Sequence, residues 1–502
     1  MNRLTRLQNG AALERSEIPV LHDDHFLEEI LSSLDHGWRV VSYFALPERD
    51  GLALYCVLSL KAEATLGVLH TRLSDGAFTS LVPYAPQLHL YEREMAEQYG
   101  VLFEGHPWMK PVRFAPPLAT LPGFCPTGPG KIGIMDFYRV EGSEVHEVAV
   151  GPVHAGIIEP GHFRFQCLGE EVMHLEISLG YQHRGVEKLV LGGPYPVTLR
   201  QMETVAGDTT VGHGLAYAMC LEALAGTRVP ARAHDLRGIG AELERLANHT
   251  GDLGAIAGDV GYLPTASYCG RIRGDFLNLT AEICGSRFGR GLVTPGGVNF
   301  DLDAVLVEKL RRRLMVARDE LSNAVDLLWE TPSVLARLEG TGVVSKETAR
   351  ELGLVGPAAR ASGLNRDIRR DHPYGIYSMT QIPVVTARAG DVYARTLVRW
   401  LEIQRSIDFV EEQLRQLPGG GLANPVGNLG ADRLAVALTE GWRGEICHVA
   451  LTDGRGRFER YKICDPSFHN WPGLAMALRG GQISDFPLNN KSFNLSYCGF
   501  DL

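Results

Sequence analysis

No run of about 20 consecutive uncharged apolar residues, the length a helix needs to cross a bilayer, occurs in this 502-residue chain. None of its segments is therefore expected to span a membrane. The sequence also lacks an excess of positive charge. Its 49 Lys and Arg are outnumbered by 59 Asp and Glu, for a formal net charge of −10, which excludes a global electrostatic footprint for nucleic acid. No nucleic-acid partner is expected. Closely spaced cysteines are missing too. The nine cysteines are an odd number scattered from Cys56 to Cys498, and no two form a Cys-x-x-Cys pair. That argues against a disulfide framework, a zinc ribbon, or an iron-sulfur cluster held by this chain alone. The N-terminus, Met1-Asn2-Arg3-Leu4-Thr5-Arg6, enters polar sequence without an apolar stretch, so no secretory signal is expected and a cytoplasmic location follows.

What is present is enough apolar sequence, 45% of residues, to bury a large core, and a length that points to two or more domains. β-type runs at Trp38–Phe44, Leu52–Leu60 and Thr65–His70, bounded by Asp50-Gly51 and Asp75-Gly76, predict a small sheet domain. A helix over Leu90–Tyr99, stopped by Gly100, follows. Residues 111–140 hold Pro116-Pro117 and Pro126-Thr127-Gly128-Pro129-Gly130 and read as a linker, ordered against a neighbour. Apolar residues then recur at three- and four-residue spacing in Leu215–Ala225, Ala241–Ala257, Leu302–Leu328 and Val392–Leu414, which predicts a helical bundle. Arg311-Arg312-Arg313 gives one helix a wet face, and Gly444–Leu451 with Arg457–Ile463 predicts a β-hairpin. The expected class is α+β: a small α/β sheet domain over 1–110, a linker over 111–140, and a mainly helical bundle with small β-hairpin elements over 141–502.

Several stretches resemble two protein families at once. Glu92-Arg93-Glu94 and Tyr99 through Pro107 resemble the thirty-kilodalton subunit of respiratory complex I. From Val150-Gly151-Pro152-Val153-His154 onward the chain resembles the forty-nine-kilodalton complex I subunit. The resemblance is closer still to the large subunit of energy-converting, formate-hydrogenlyase-type nickel-iron hydrogenases, some of which carry the same fusion. Glu159–Phe165, Gly180–Lys188, Glu244–His249, Arg366–Tyr374, Gly390–Arg395 and Trp442–Glu445 carry it. In those hydrogenases a Cys-x-x-Cys pair and an Asp-Pro-Cys-x-x-Cys pair hold the metal. Here the corresponding positions are Ala206, Thr209, Ser467 and Asn470, and methyl, hydroxyl and amide groups are poor substitutes for thiolates at nickel. The resemblance thus implies a hydrogenase scaffold without its nickel-iron centre.

The same resemblance nominates the remaining site residues. Arg443 corresponds to an arginine that reaches over the metal; its guanidinium would polarise a carbonyl or hold an anion, or else pair with a structural carboxylate. Glu159 corresponds to a proton-passing glutamate, with an ordinary capping carboxylate as the alternative. His162 and His183 are further candidates for proton relay, or core histidines held by backbone bonds. Asp208 adds a carboxylate between the two vacated positions and, with Ser467, His469 and Asn470, would line a small polar pocket or a hard, oxygen-rich metal site. The complex I quinone residues fall on Pro160 and Gly207, neither of which donates a side-chain hydrogen bond to a quinone. Glu244-Arg245 through His249 reads as an internal brace; Arg369-Arg370-Asp371-His372 reads as a solvated charged loop or, as the resemblance implies, as a loop close to the buried cavity with a part in gating or proton supply.

Together these imply a peripheral subunit on the inner face of the cell membrane, itself binding no cofactor. Its implied partners are an iron-sulfur small subunit carrying a four-iron four-sulfur cluster and membrane subunits resembling complex I proton-channel and antiporter-like subunits. The expected function is oxidoreduction: electrons pass to a non-nickel acceptor, a quinone or another small molecule, coupled to ion translocation. The alternative is a catalytically dead scaffold that couples its partners to an ion- or solute-transporting membrane arm. An open polar cavity between the two former cysteine loops would favour the first reading, and a filled one the second.

Overall fold

The structure is a computed structural model that describes residues 3–126, 130–154 and 158–502; Thr127-Gly128-Pro129 of the expected linker lie outside them. Short strands β1 (Thr5–Leu7), β2 (Ala11–Glu14) and β3 (Val20–Leu21) precede helix α1 (Asp23–Asp35). The three β-type runs then become β4 (Arg39–Glu48), β5 (Gly51–Leu60) and β6 (Thr65–Leu73), an antiparallel meander. The sheet order is β1-β6-β5-β4, with β3 parallel to β6. β7 (Ala77–Thr79) and β8 (Leu102–Glu104) pair beside it and flank helix α2 (His89–Tyr99), which ends at Gly100 with φ +77°.

The expected linker is tied down. Backbone N–H groups of Val112, Arg113, Phe114 and Ala115 all donate to the Glu97 carboxylate, at 2.8 to 3.2 Å. A three-stranded antiparallel sheet follows: β9 (Val145–Val150), β10 (His162–Leu168) and β11 (Glu171–Ser178).

After the short helices α3 (Val186–Leu189) and α4 (Thr198–Met202), the bundle consists mainly of α5 (Thr210–Ala225), α6 (Ala231–Asp259) and α7 (Leu263–Cys284), then α8 (Ala304–Trp329). The two-stranded ribbon β12 (Val293–Thr294) and β13 (Gly297–Val298) precedes α8. Four short helices follow it: α9 (Pro332–Leu338), α10 (Lys346–Glu351), α11 (Gly356–Ala361) and α12 (Ile368–Asp371). The long α13 (Val392–Gln416) completes this part. In α8 the side chains of Leu310, Leu314, Ala317, Leu321 and Leu328 are buried, a three- and four-residue spacing that faces the core. The arginines on its other face pair outward, Arg311 with Glu411 at 2.9 Å. That is the wet face the sequence predicts.

The expected C-terminal hairpin is larger than its sequence signal. β15 (Gly444–Thr452) and β16 (Phe458–Cys464) join β14 (Arg433–Gly441), and β2 from the N-terminus completes a four-stranded sheet in the order β16-β15-β14-β2. Ala12 lies opposite Ala435 in that pairing. The chain closes with α14 (Pro466–Leu478), α15 (Phe486–Phe493) and α16 (Tyr497–Asp501). The N-terminal domain and the C-terminal half also share buried ion pairs: Lys462 Nζ on β16 lies 2.7 Å from Glu94 on α2, and Arg39 on β4 pairs with Glu445 on β15. Breaking one partner out of such a pair costs about 3–5 kcal/mol, so the two halves are joined by more than chain connectivity. Among the described residues no helix is long and apolar enough to cross a membrane.

Candidate functional site

The two vacated motifs meet at the starts of α5 and α14. Pro466 opens α14, where its missing N–H costs nothing. Asp465 caps the helix, its Oδ1 accepting the Ser467 N–H at 2.8 Å. The other carboxylate oxygen pairs with His213 Nε2 on α5 at 3.0 Å, which ties one motif to the other. The chain of contacts continues inward: His213 Nδ1 to His448 Nε2 at 3.1 Å, and His448 Nδ1 to the Tyr461 hydroxyl at 2.9 Å. All four side chains are buried. Burial, with His213 beside it, holds His448 well below the ordinary histidine range, whereas His213 and Arg443 hold Asp465 low against the opposing effect of burial.

Each of the four former ligand positions has an internal role. Ala206 is a buried methyl. Thr209 Oγ1 bonds to Asp208 Oδ1 at 3.2 Å. Ser467 Oγ accepts the Ser496 N–H at 2.8 Å. The Asn470 side chain completes a pair of bonds with one peptide: Oδ1 accepts from Val355 N at 3.0 Å and Nδ2 donates to Val355 O at 3.1 Å. Val355 is brought there by a glycine contact. Gly356 has φ +64°, and a Cβ on it would stand 2.1 Å from the Arg443 carbonyl oxygen. These side chains do not fit a nickel-iron centre: no thiolate is offered, and the polar atoms present are engaged by backbone and neighbours. Among the described residues no group of three or more His, Cys, Asp or Glu gathers in a metal-holding arrangement.

Arg443 and Asp208 are brought together. The guanidinium grips the carboxylate with both arms, Nη1 to Oδ1 at 2.5 Å and Nη2 to Oδ2 at 2.8 Å. Arg443 also donates to the Asn494 carbonyl and lies 3.9 Å from the Trp442 ring centre. Trp442 Nε1 and Asn248 Nδ2 hold the Asp208 carbonyl at 3.1 and 2.9 Å. The salt-bridge alternative is therefore the geometry found, and the carboxylate is the one lying between the vacated positions. The Arg443 side chain is 5% exposed and that of Asp208 32%, so the pair sits at the edge of the core. Beside it Gly207 is exposed, with open space where a side chain would project.

The other candidates do not join that pair directly. Glu159 accepts the Tyr497 N–H at 3.1 Å. Burial, then the neighbouring Glu159 carboxylate, push the Cys498 thiol up to about 11, against the opposing effect of the Gly207 backbone. Cys498 thus links Glu159 to the vacated loop, a role no spacing in the sequence signals. His162 Nδ1 faces the Gly151 carbonyl at 3.3 Å, and His183 Nδ1 the Asp501 carbonyl at 2.7 Å. Burial holds both imidazoles below the ordinary range despite these carbonyls. His162 is buried and also takes the Arg164 Nε–H on its Nε2 at 3.2 Å, whereas His183 is half-buried.

Behind Trp442 lies an ionic lattice. Arg245 pairs with Glu242 at 3.0 Å, His249 with Glu402 at 2.9 Å, and Arg360 with Glu402 and Glu440 at 2.7 Å each. This is the internal brace expected of Glu244–His249, although the acids involved are Glu242, Glu402 and Glu440 and not Glu244, which accepts the Val211 and Gly212 N–H groups instead. Arg369, expected on a solvated loop, is buried between Asp367 at 2.6 Å and Glu242 at 3.1 Å. Its distant partner Glu242 turns that charged loop inward.

Comparison with known proteins fits this geometry. The family model of the respiratory-chain NADH dehydrogenase 49-kilodalton subunit matches residues 259–429, and that of the 30-kilodalton subunit matches 25–121. The carbon monoxide-induced hydrogenase of Rhodospirillum rubrum is 33% identical over 348 residues, covering 68% of this chain and 95% of that protein. The chain belongs to the family of complex I and energy-converting hydrogenase large subunits. Formate hydrogenlyase subunit 5 of Escherichia coli K12 is 30% identical over 516 residues, covering 96% of this chain and 88% of that one, so the likeness spans both halves of the fusion. The fold is also found in the structure of the membrane-bound sulfane sulfur reductase, an archaeal respiratory membrane complex. The matching chain there is 24% identical, with a TM-score of 0.68, covering 73% of this chain and 100% of that chain. The family is one of oxidoreductase complex subunits.

Proposed function

We propose that this chain is the large peripheral subunit of a membrane-associated complex related to complex I and the energy-converting hydrogenases. Within it the chain acts as a coupling scaffold rather than as a hydrogen-cleaving enzyme. The observation that carries this reading is the Arg443–Asp208 pair. The arginine that would serve a metal in hydrogenases is bound by a carboxylate of the vacated loop itself, and Thr209, Ser467 and Asn470 are engaged in internal bonds. A small subunit carrying a four-iron four-sulfur cluster would dock over the exposed Gly207 edge, and membrane subunits of proton-channel and antiporter-like type would lie beyond it. Exposed apolar side chains at Val153, Ile158, Leu189 and Val197 support burial of surface by such partners.

A second reading rests on the open space at Gly207 and the partial exposure of Asp208. In it, electrons from the cluster reach a quinone or another small acceptor held outside the loop, with Glu159 and Cys498 moving the proton. One experiment separates the two. The intact complex is purified, its nickel and iron are measured, and reoxidation of the reduced cluster by quinone analogues is followed. The scaffold reading expects iron without stoichiometric nickel, and a reoxidation rate that Asp208→Asn and Glu159→Gln leave unchanged. A tenfold slower reoxidation in either variant moves the assignment to the second reading. Stoichiometric nickel overturns both.

A further inference from the structure

Asp and Glu outnumber Lys and Arg, 59 to 49, across this chain, yet cations are in excess where the N-terminal domain meets α10, α11 and α12. Four segments supply them: Arg39 at the start of β4, Lys61 in the turn between β5 and β6, Arg350 in the last turn of α10, and Arg366 and Arg370 before and within α12. Contacts tie these segments together. Lys61 Nζ donates to the carbonyl of Asn365, the residue before Arg366. Arg366 Nη1 donates to the Leu354 carbonyl at 3.2 Å, just beyond α10. Gly353 beside it lies against the Gln87 side chain, whose Oε1 accepts the Val40 N–H at 3.3 Å, next to Arg39.

The carboxylates of this seam are already taken. Glu445 pairs with both arms of Arg39. Asp371 lies 2.6 Å from Arg370 and 3.6 Å from Lys61, and Glu440, behind Arg39, is held by Arg360 at 2.7 Å. Arg350 and Arg366 are left over: among the described residues neither forms an ion pair, and the bond Arg366 makes is to a neutral carbonyl. The excess shows in its neighbours' effect on it. Burial, then Arg39 and Arg350, lower Arg366 to about 9, with Asp371 opposing them. Lys61 is lowered too, by burial first, with Arg370 and Arg366 acting against Asp371. Arg350 is exposed and Arg366 half-buried, so an ion arriving from solvent meets both. A guanidinium presents a planar fork that matches phosphate oxygens two at a time. Two unanswered forks suit one group that carries about two negative charges, as a phosphomonoester does near neutral pH and a carboxylate or a phosphodiester does not.

We propose that Arg366 and Arg350, with Lys61 at the rim, bind a phosphate dianion, either inorganic phosphate or the phosphate of a phosphomonoester. The test is calorimetric titration of the purified full chain, at neutral pH and constant ionic strength, with inorganic phosphate, glycerol 3-phosphate and dimethyl phosphate. The two dianions bind, the tighter of them naming the source. Dimethyl phosphate, with the same tetrahedral centre but a single charge, binds at least tenfold more weakly. Arg366→Gln weakens both dianions at least tenfold and Arg350→Gln several-fold, whereas Arg312→Gln, on the wet face of α8, leaves them unchanged. Thermal melts give a second readout and confirm that each variant is folded: inorganic phosphate raises the melting midpoint of the wild type and of Arg312→Gln but not that of Arg366→Gln. The proposal is overturned if neither dianion binds, if dimethyl phosphate binds as tightly as they do, or if folded Arg366→Gln binds phosphate as the wild type does.

Discussion

Asp208→Asn removes the charge that answers Arg443 while keeping the size of the side chain. A fully buried ion pair that loses one partner costs about 3–5 kcal/mol, and a fully exposed one about 0–1 kcal/mol. The Arg443 side chain is 5% exposed but that of Asp208 is 32% exposed, so water already screens part of the attraction, and the expected loss is about 2 kcal/mol. The guanidinium keeps the Asn494 carbonyl and the face of Trp442, which prevents the full penalty. The assay is urea unfolding of the isolated chain, read as a lower midpoint at unchanged slope. Arg443→Leu added to Asp208→Asn removes the stranded cation and regains about 1 kcal/mol, a coupling that non-contacting residues do not show. A single-variant loss below about 0.5 kcal/mol, the scatter of ordinary surface changes, together with strict additivity, would refute the claim that the carboxylate holds the arginine.

Asn470→Ala leaves the Val355 N–H and C=O without their bonds and lowers stability by about 2–3 kcal/mol, measurable by the same titration. Lys462→Met takes one cation from Glu94 and Glu187, which keep Arg113 and Arg460, and costs less than a fully broken buried pair, about 2 kcal/mol; adding Glu94→Gln restores part of it. Burial alone would raise the Glu242 carboxyl, but Arg245 and Arg369 hold it down to about 2. Its contribution is therefore full above the unfolded value of about 4.3 and is lost as pH falls from there towards 2, so Glu242→Gln flattens the acid limb of a stability–pH curve. Glu244 has the opposite sign: burial raises it to about 8 even though it accepts the Val211 and Gly212 N–H groups. Stability then falls as pH rises from about 4.3 towards 8, and Glu244→Gln reduces that slope between pH 6 and 8.

The parts of this fold that were legible in sequence are the locally determined ones. α8 and α13 announce themselves because their core contacts repeat every three or four residues, and β4–β6 because turns at Asp50-Gly51 and Asp75-Gly76 bound apolar runs. β2 was not legible: four residues find their partner more than four hundred positions away in β14, and no local pattern encodes that. Arg369 was misjudged as solvated for the same reason, since Glu242, which accepts it, lies 127 positions off. At the site, the resemblance located Arg443 and the four ligand positions but not what engages them. The Asn470–Val355 pair, the Asp465–His213 tie and the Cys498–Glu159 contact depend on three-dimensional closure of loops from opposite ends of the chain.

The arrangement around Asp208 has an electrostatic logic that does not depend on which partner the complex uses. An arginine placed over a metal held by four thiolates faces a negatively charged ligand set. With methyl, hydroxyl and amide groups at those positions the same guanidinium would be a buried cation without an answer, a cost of several kcal/mol. A carboxylate two residues along from Ala206 supplies the missing charge with bidentate geometry, and Trp442 closes the other face. The tie between His213 and Asp465 joins α5 to α14 directly. A loop stabilised in this way holds the exposed Gly207 edge in a fixed shape, as the proposed coupling scaffold would require of a docking surface. With the Arg443 guanidinium already held by Asp208, cysteines placed at 206, 209, 467 and 470 are not expected by themselves to build a metal site, which metal analysis of the four-cysteine variant checks.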